Sequence, residues 1–219
     1  MRRGDQYVRS DDVPAAIECY TRAIDIDPKF AAAYQKRGDE YAEQREYGRA
    51  LADYQFADRL EPYLTQHLYQ IALMHRALKR LDLAVDDYSE LIKRYPKDPR
   101  FLVRRSELYL RMGKTNEAYA DADRACRQFS NDRGALEARA RAEFALKKFE
   151  RALADASAVI ASLKLHNPEW IEMVRLRASI YEKTGRNELA KKELRPLDSE
   201  IEDAFDNLPF SHVGKPVHP

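Results

Sequence analysis

Long apolar runs are missing from this sequence: nowhere do eighteen apolar residues follow one another, and the basic start MRRGDQYVRSDD leads into no apolar stretch. A membrane-spanning helix needs about 20 such residues, and a secretory leader needs a shorter apolar core. The expectation is therefore a soluble, cytoplasmic chain with no membrane partner. Cysteine is almost absent, and Cys19 and Cys126 match no metal or redox spacing. A disulfide between them would have to join distant turns of the chain, so both read as buried small hydrophobes in a reducing compartment. A charge excess is absent too, with 38 Lys+Arg against 37 Asp+Glu and a net charge of +1, which argues against nucleic acid as a partner. Motifs for chemistry are missing: there is no GxGxxG, GxSxG or HExxH, no phosphate-binding loop and no EF-hand loop. His67 and His75 stand about two turns apart on one helix, too far to chelate one metal. No catalytic residue, cofactor or metal is therefore assigned, and an enzyme is not expected.

What the sequence does have is a repeat. Pro28, Pro62 and Pro96 stand 34 residues apart, and Asp53, Asp87, Asp121 and Asp155 recur at the same interval, as do Ala16, Ala50, Ala84, Ala118 and Ala152. With 34% charged and 44% hydrophobic residues and only 7 glycines, the composition suits amphipathic helices that each bury one face. A period near 34 belongs to a two-helix unit that stacks on its neighbours, so the expected fold is all-α, a solenoid of antiparallel helix pairs. About six units are expected in one array over residues 1–208, spanning roughly 1–30, 31–64, 65–98, 99–132, 133–166 and 167–197. A capping helix over 198–208 and an extended or disordered tail over 209–219 complete the chain.

Local chemistry sets the ends of these helices. Asp12 and Asn167 are suited to cap helices whose first turns hold Pro14 and Pro168. Ala152 and Ala190 are 38 residues apart rather than 34, which places a four-residue insertion near LKLHNPEW and predicts a longer second helix in unit five. Trp170, beside the insertion, is expected to pack against the end of that helix. Pro196 should end or kink the last helix, leaving Asp198 to cap a separate one. The Asp column is read as structural, each carboxylate serving an i,i+4 charge pattern or touching the neighbouring hairpin.

In unit two, Tyr34, Gly38 and Tyr41 precede Ala50, Tyr54, Ala57 and Pro62, so small residues let two helices approach while rings fill the gaps beside them. Unit three repeats the arrangement with Leu68, Ala72, Ala84, Tyr88 and Pro96. On these residues the chain resembles the tetratricopeptide repeat family. The resemblance implies a right-handed solenoid and a noncatalytic role in protein–protein interaction, with the first helices of successive units lining a concave groove. Carried over residue by residue, it puts Tyr69, Leu73 and Arg76 of unit three on that groove. Arg100, Arg104 and Arg111 of unit four and Arg141 and Phe144 of unit five join them.

Arginine forms bidentate bonds to carboxylate or phosphate, so this face suits a peptide or helix that is acidic or phosphorylated. The competing reading pairs these arginines with Glu107 and Glu137 on a merely solvated face. One subgroup of the family grips C-terminal carboxylates with lysines and asparagines, but this chain has Gln35 and Asp39 at matching positions, and an Asp repels such a ligand. Two alternatives stand beside the interaction scaffold. The shortened first unit, with Tyr7, Ile17 and Tyr20 partly uncovered, suits weak homo-oligomerisation. The half-unit at Met1 suits the interaction part of a larger multidomain protein or enzyme.

Overall fold

The computed structural model describes residues 12–130, 132–164 and 167–206, among which there are eleven α-helices and no strand. The backbone divides into two compact units, Met1–Lys114 and Thr115–Pro219. In the first, α1 (Val13–Ile26), α2 (Ala31–Glu43), α3 (Tyr47–Leu60), α4 (Thr65–Ala77), α5 (Leu81–Arg94) and α6 (Pro99–Arg111) each pack on the next in sequence. In the second, α7 (Thr115–Gln128), α8 (Arg133–Ala145), α9 (Phe149–Ser162), α10 (Pro168–Lys183) and α11 (Asn187–Asp206) do the same, and α8 also touches α10. Packing between sequence neighbours is how stacked hairpins bury apolar faces that no single hairpin could cover alone. The division falls inside the fourth 34-residue repeat, at the turn after α6. The tail over 209–219 and the end of the expected cap, 207–208, lie outside the described residues.

The repeating columns are the core. Tyr20, Tyr54 and Tyr88 are fully buried, as are Ala16, Ala50, Ala84, Ala118 and Ala152. Tyr20 therefore offers no uncovered surface for self-association, contrary to expectation, while Ile17 is half-buried and Tyr7 lies outside the described residues. Gly38 shows why one column must stay small: a Cβ there would come within 3.0 Å of the Tyr54 ring and 3.3 Å of the Asp53 Cβ. Cys126 is buried, and its thiol is pushed up to about 11, mainly by burial; Cys19 is only half-buried.

Caps and turns set the helix boundaries. Asp12, Asp132 and Asn167 accept backbone N–H bonds from Ala15, Ala135 and Glu169, and Asp98 accepts one from Arg100, each satisfying a donor that a helix start leaves open. Each turn from the first to the second helix of a hairpin has a left-handed residue: Arg45, Lys79, Gly113, Lys147 and Gly185, with φ between 60° and 76°. The following N–H then donates back five residues at 2.8 Å, as from Arg80 to the His75 carbonyl, which closes the helix end.

Three expectations need correction or completion near the C-terminal end. Helix α9 has 14 residues like α1, α3, α5 and α7, so it is not lengthened by the insertion. Instead α10 has 16 residues where α8 has 13, because Asn167 and Pro168 restart the helix early. Trp170 packs with Val174 and Leu197 against Ile160 and Leu163, at the end of α9 as expected. The break at Pro196 is absent: α11 runs unbroken over Asn187–Asp206, with no separate helix capped by Asp198. A proline inside a helix costs one hydrogen bond and a clash with the preceding turn, about 3 kcal/mol. The flanking KKEL and SEIEDAF, rich in strong helix formers, offset that cost.

The turns yield a test. A left-handed non-glycine residue costs about 1–2 kcal/mol relative to glycine. Lys79→Gly should therefore raise the urea midpoint. Gly113→Ala should lower it although nothing lies within 4 Å of an added Cβ. Equal midpoints for Gly113→Ala and the parent chain would contradict this reading of the turns.

Candidate functional site

Four arginines on first helices join elements together. Arg37 on α2 grips Asp53 on α3 through two 2.8 Å bonds, with side chains only 18% and 6% exposed. Arg139 on α8 grips Asp155 on α9 the same way, at 2.6 and 2.9 Å, and Arg177 on α10 bonds Glu193 on α11 at 3.0 Å. Each acid lies sixteen residues after its arginine. The same arginines also reach back to the preceding hairpin. Arg37 donates to Thr21 on α1 at 3.1 Å, Arg105 on α6 donates to Ser89 on α5 at 2.8 Å, and Arg177 donates to Ser157 on α9 at 3.3 Å. Arg139 lies 3.5 Å from Asp123 on α7. Asp53 and Asp155 thus pair within their own hairpin, and neither serves an i,i+4 pattern nor a neighbouring hairpin. The periodic signal was present, as an arginine sixteen residues ahead of the aspartate column.

Hairpin three departs from this pattern. Ile71 occupies the arginine position, and His75 one turn later pairs with Asp87 at 2.6 Å. Burial pushes the Asp87 carboxyl up, while the bond from His75 draws it back. His67 is fully buried, with Nε2 3.3 Å from Gln35 on α2. Asp39, on the same helix as Gln35, accepts a 2.9 Å bond from Tyr54, and burial pushes its carboxyl up. Gln35 and Asp39 are therefore engaged internally.

The residues assigned to the groove divide between the two compact units. In the first, Arg104 bonds Glu107 at 3.0 and 3.1 Å, and Arg76 on α4 approaches the same carboxylate at 4.0 Å. Two cations therefore share one anion. Arg111 is exposed, with no partner among the described residues, and Arg100 pairs with Asp98 at 2.6 Å. Leu73 packs into the core beside Ile71 and Met74. Tyr69 lies 6.1 Å from both Tyr88 and Phe101, centroid to centroid. A pocket of about 250 Å3 opens between Thr65, Gln66, Tyr69, Arg100 and Phe101. In the second unit, Arg141 bonds Glu137 at 2.8 Å and approaches Glu172 at 4.0 Å, so it is neutralised in place. Phe144 packs against Phe149 of its own hairpin, centroids 5.9 Å apart.

Comparison with known proteins accounts for this architecture. A family model described as TPR repeat matches residues 4–44, and one described as Tetratricopeptide repeat matches residues 68–98. The chain thus carries tetratricopeptide repeats. The crystal structure of a tetratricopeptide repeat protein from Parabacteroides merdae superposes with a TM-score of 0.80 at 20% identity, covering 91% of this chain and 77% of that one. YrrB, described as a TPR protein with an unusual peptide-binding site, superposes with a TM-score of 0.61 at 17% identity, covering 74% and 84%. These likenesses establish the all-α tetratricopeptide solenoid fold. Serine/threonine-protein phosphatase 5 of Rattus norvegicus is 30% identical over 96 residues, which are 44% of this chain and 19% of the phosphatase. The match thus spans about a fifth of that relative. Tetratricopeptide repeats are noncatalytic modules that mediate protein–protein interactions, and no helix among the described residues is long and apolar enough to cross a membrane.

One tetratricopeptide position carries an unusual residue. Glu143 stands where Tyr41 and Tyr109 stand in other repeats, is 3% exposed, and its Oε2 has no hydrogen-bond partner among the described residues. Burial, followed by the nearby Asp155, pushes its carboxyl up. A carboxyl whose folded pKa exceeds its unfolded one stabilises the fold at low pH, and that contribution is lost as pH rises through the folded pKa. Glu143→Gln keeps the neutral form at every pH. It should melt above the parent at about pH 8, with the gap closing toward about pH 4. A gap that does not change with pH would contradict this assignment.

Proposed function

We propose that this chain is a noncatalytic protein-interaction module that takes an acidic, extended peptide on the α4 and α6 face of its first compact unit. The observation that carries this reading is the sharing of Glu107 by Arg76 and Arg104, with Arg111 beyond them. One carboxylate cannot neutralise two guanidinium groups. A peptide carboxylate or phosphate supplies the missing charge in the bidentate geometry arginine favours. The second unit lacks this excess, since Arg141 already has Glu137 and Glu172 near it. The peptide-binding site named for YrrB supports a peptide ligand on this fold. Our reading places the chain in the cytoplasm, where the unpaired Cys19 and Cys126 stay reduced.

A second reading, service as the interaction part of a larger enzyme, has its support in the match to a short portion of a phosphatase. It leaves the peptide-binding role of these residues unchanged.

The test is fluorescence anisotropy with a labelled glutamate-rich peptide. The charge reversal Arg76→Glu with Arg104→Glu should weaken binding at least about tenfold and flatten its dependence on salt. Circular dichroism should show the helical content retained. Equal affinity for the parent and the doubly reversed chain would contradict the proposal.

A further inference from the structure

We propose that the pocket between the first turns of α4 and α6 seats one aromatic side chain of the acidic peptide, so the recognised sequence is aromatic as well as acidic. This rests on the peptide-binding reading above and adds a second determinant to it. At about 250 Å3 the pocket falls below the roughly 300–1,000 Å3 of sites for drug-sized molecules, which leaves room for a single side chain.

The walls favour a ring. Tyr69 and Phe101 lie 6.1 Å apart, their planes tilted by 50°, and Phe101 continues to Tyr95 at 6.3 Å. Phe101 is buried and Tyr69 leans edge-on against the fully buried Tyr88, so the aromatic walls are held before any ligand arrives. Rings packed edge-to-face or offset add to the gain from area burial, which selects an aromatic over an aliphatic guest. The rim is polar. Arg100 holds its guanidinium 5.8 Å from the Phe101 ring centroid, and its bond to Asp98 is made by a side chain 76% exposed. An ion pair whose arginine is this exposed is weaker than a buried one, and a guanidinium released from it can stack on an entering ring.

The pocket also adjoins the arginine cluster. Tyr69 and Arg76 are seven residues apart on α4, about 10 Å at a rise of about 1.5 Å per residue. An extended peptide covers that in about three residues at about 3.3 Å each. The recognised segment therefore carries an acidic residue about three positions from its aromatic one.

The experiment uses the full chain and two labelled peptides, identical glutamate-rich sequences with a central Phe or a central Ala, measured by anisotropy. The Phe peptide should bind about tenfold more tightly. Gln66→Trp, which fills the pocket from an exposed position on its rim, should bring the ratio of the two affinities close to one. Equal binding of both peptides to the parent chain overturns the pocket inference alone. Persistence of the tenfold ratio in Gln66→Trp also overturns it. Binding of neither peptide removes the arginine reading itself, and this inference with it.

Discussion

An arginine gripping the acid of its own hairpin while touching the hairpin before it is the interaction on which the repeat geometry depends. Apolar packing alone leaves two helices free to slide and rotate, because hydrophobic contact has no preferred direction. A planar guanidinium with several fixed donors does have one. Arg37 and Arg139 use two donors on the carboxylate of the following helix and turn another toward the preceding one. The small columns make this reach short. The Gly38 backbone brings α2 so close to Tyr54 and Asp53 that Arg37, one residue earlier, meets its acid directly.

This arrangement also sorts the arginines of the chain by role. Those committed to latches are largely buried and saturated with partners, so they are unavailable to a ligand. Arg104, on the same helix as Arg105, and Arg76, on α4 where the latch arginine is missing, divide a single carboxylate between them. The overall charge of +1 hides this partition entirely. Local stoichiometry of cation and anion decides where an acidic partner would bind. Hairpin three, in which His75 takes the place of the latch arginine, contributes Arg76 to the pair on Glu107 and bonds its own Asp87 through an imidazole.

Much of the fold was legible in the sequence because its determinants are local or periodic. The burial of Tyr54, Tyr88 and the alanine column follows from a 34-residue spacing. Asp12 and Asn167 cap because only a short polar side chain can satisfy the open N–H groups beside it. The departures arise where a local rule met a longer-range compensation. Pro196 carries a helix-breaking rule, yet the residues on both sides favour helix strongly enough to continue it. The four inserted residues could lengthen either neighbouring helix, and the Asn167 cap with Pro168 assigned most of them to α10. For the candidate site, the pairing of Arg104 with Glu107 and of Arg141 with Glu137 was legible as the competing reading, because the partners stand three and four residues apart on one helix. Nothing in the spacing says that Arg76 also approaches Glu107 and Arg141 Glu172 from other helices, or that Leu73 packs into the core and Phe144 against Phe149.

The most direct measurement is a double-mutant cycle on Arg139 and Asp155, with Arg139→Ala, Asp155→Ala and the double replacement followed by urea unfolding. If the latch holds the hairpin as described, the two residues are coupled by about 1–3 kcal/mol, and the second replacement costs far less than the first. Additivity within about 0.5 kcal/mol would mean that the two side chains act independently, and the latch would not be what holds these helices together.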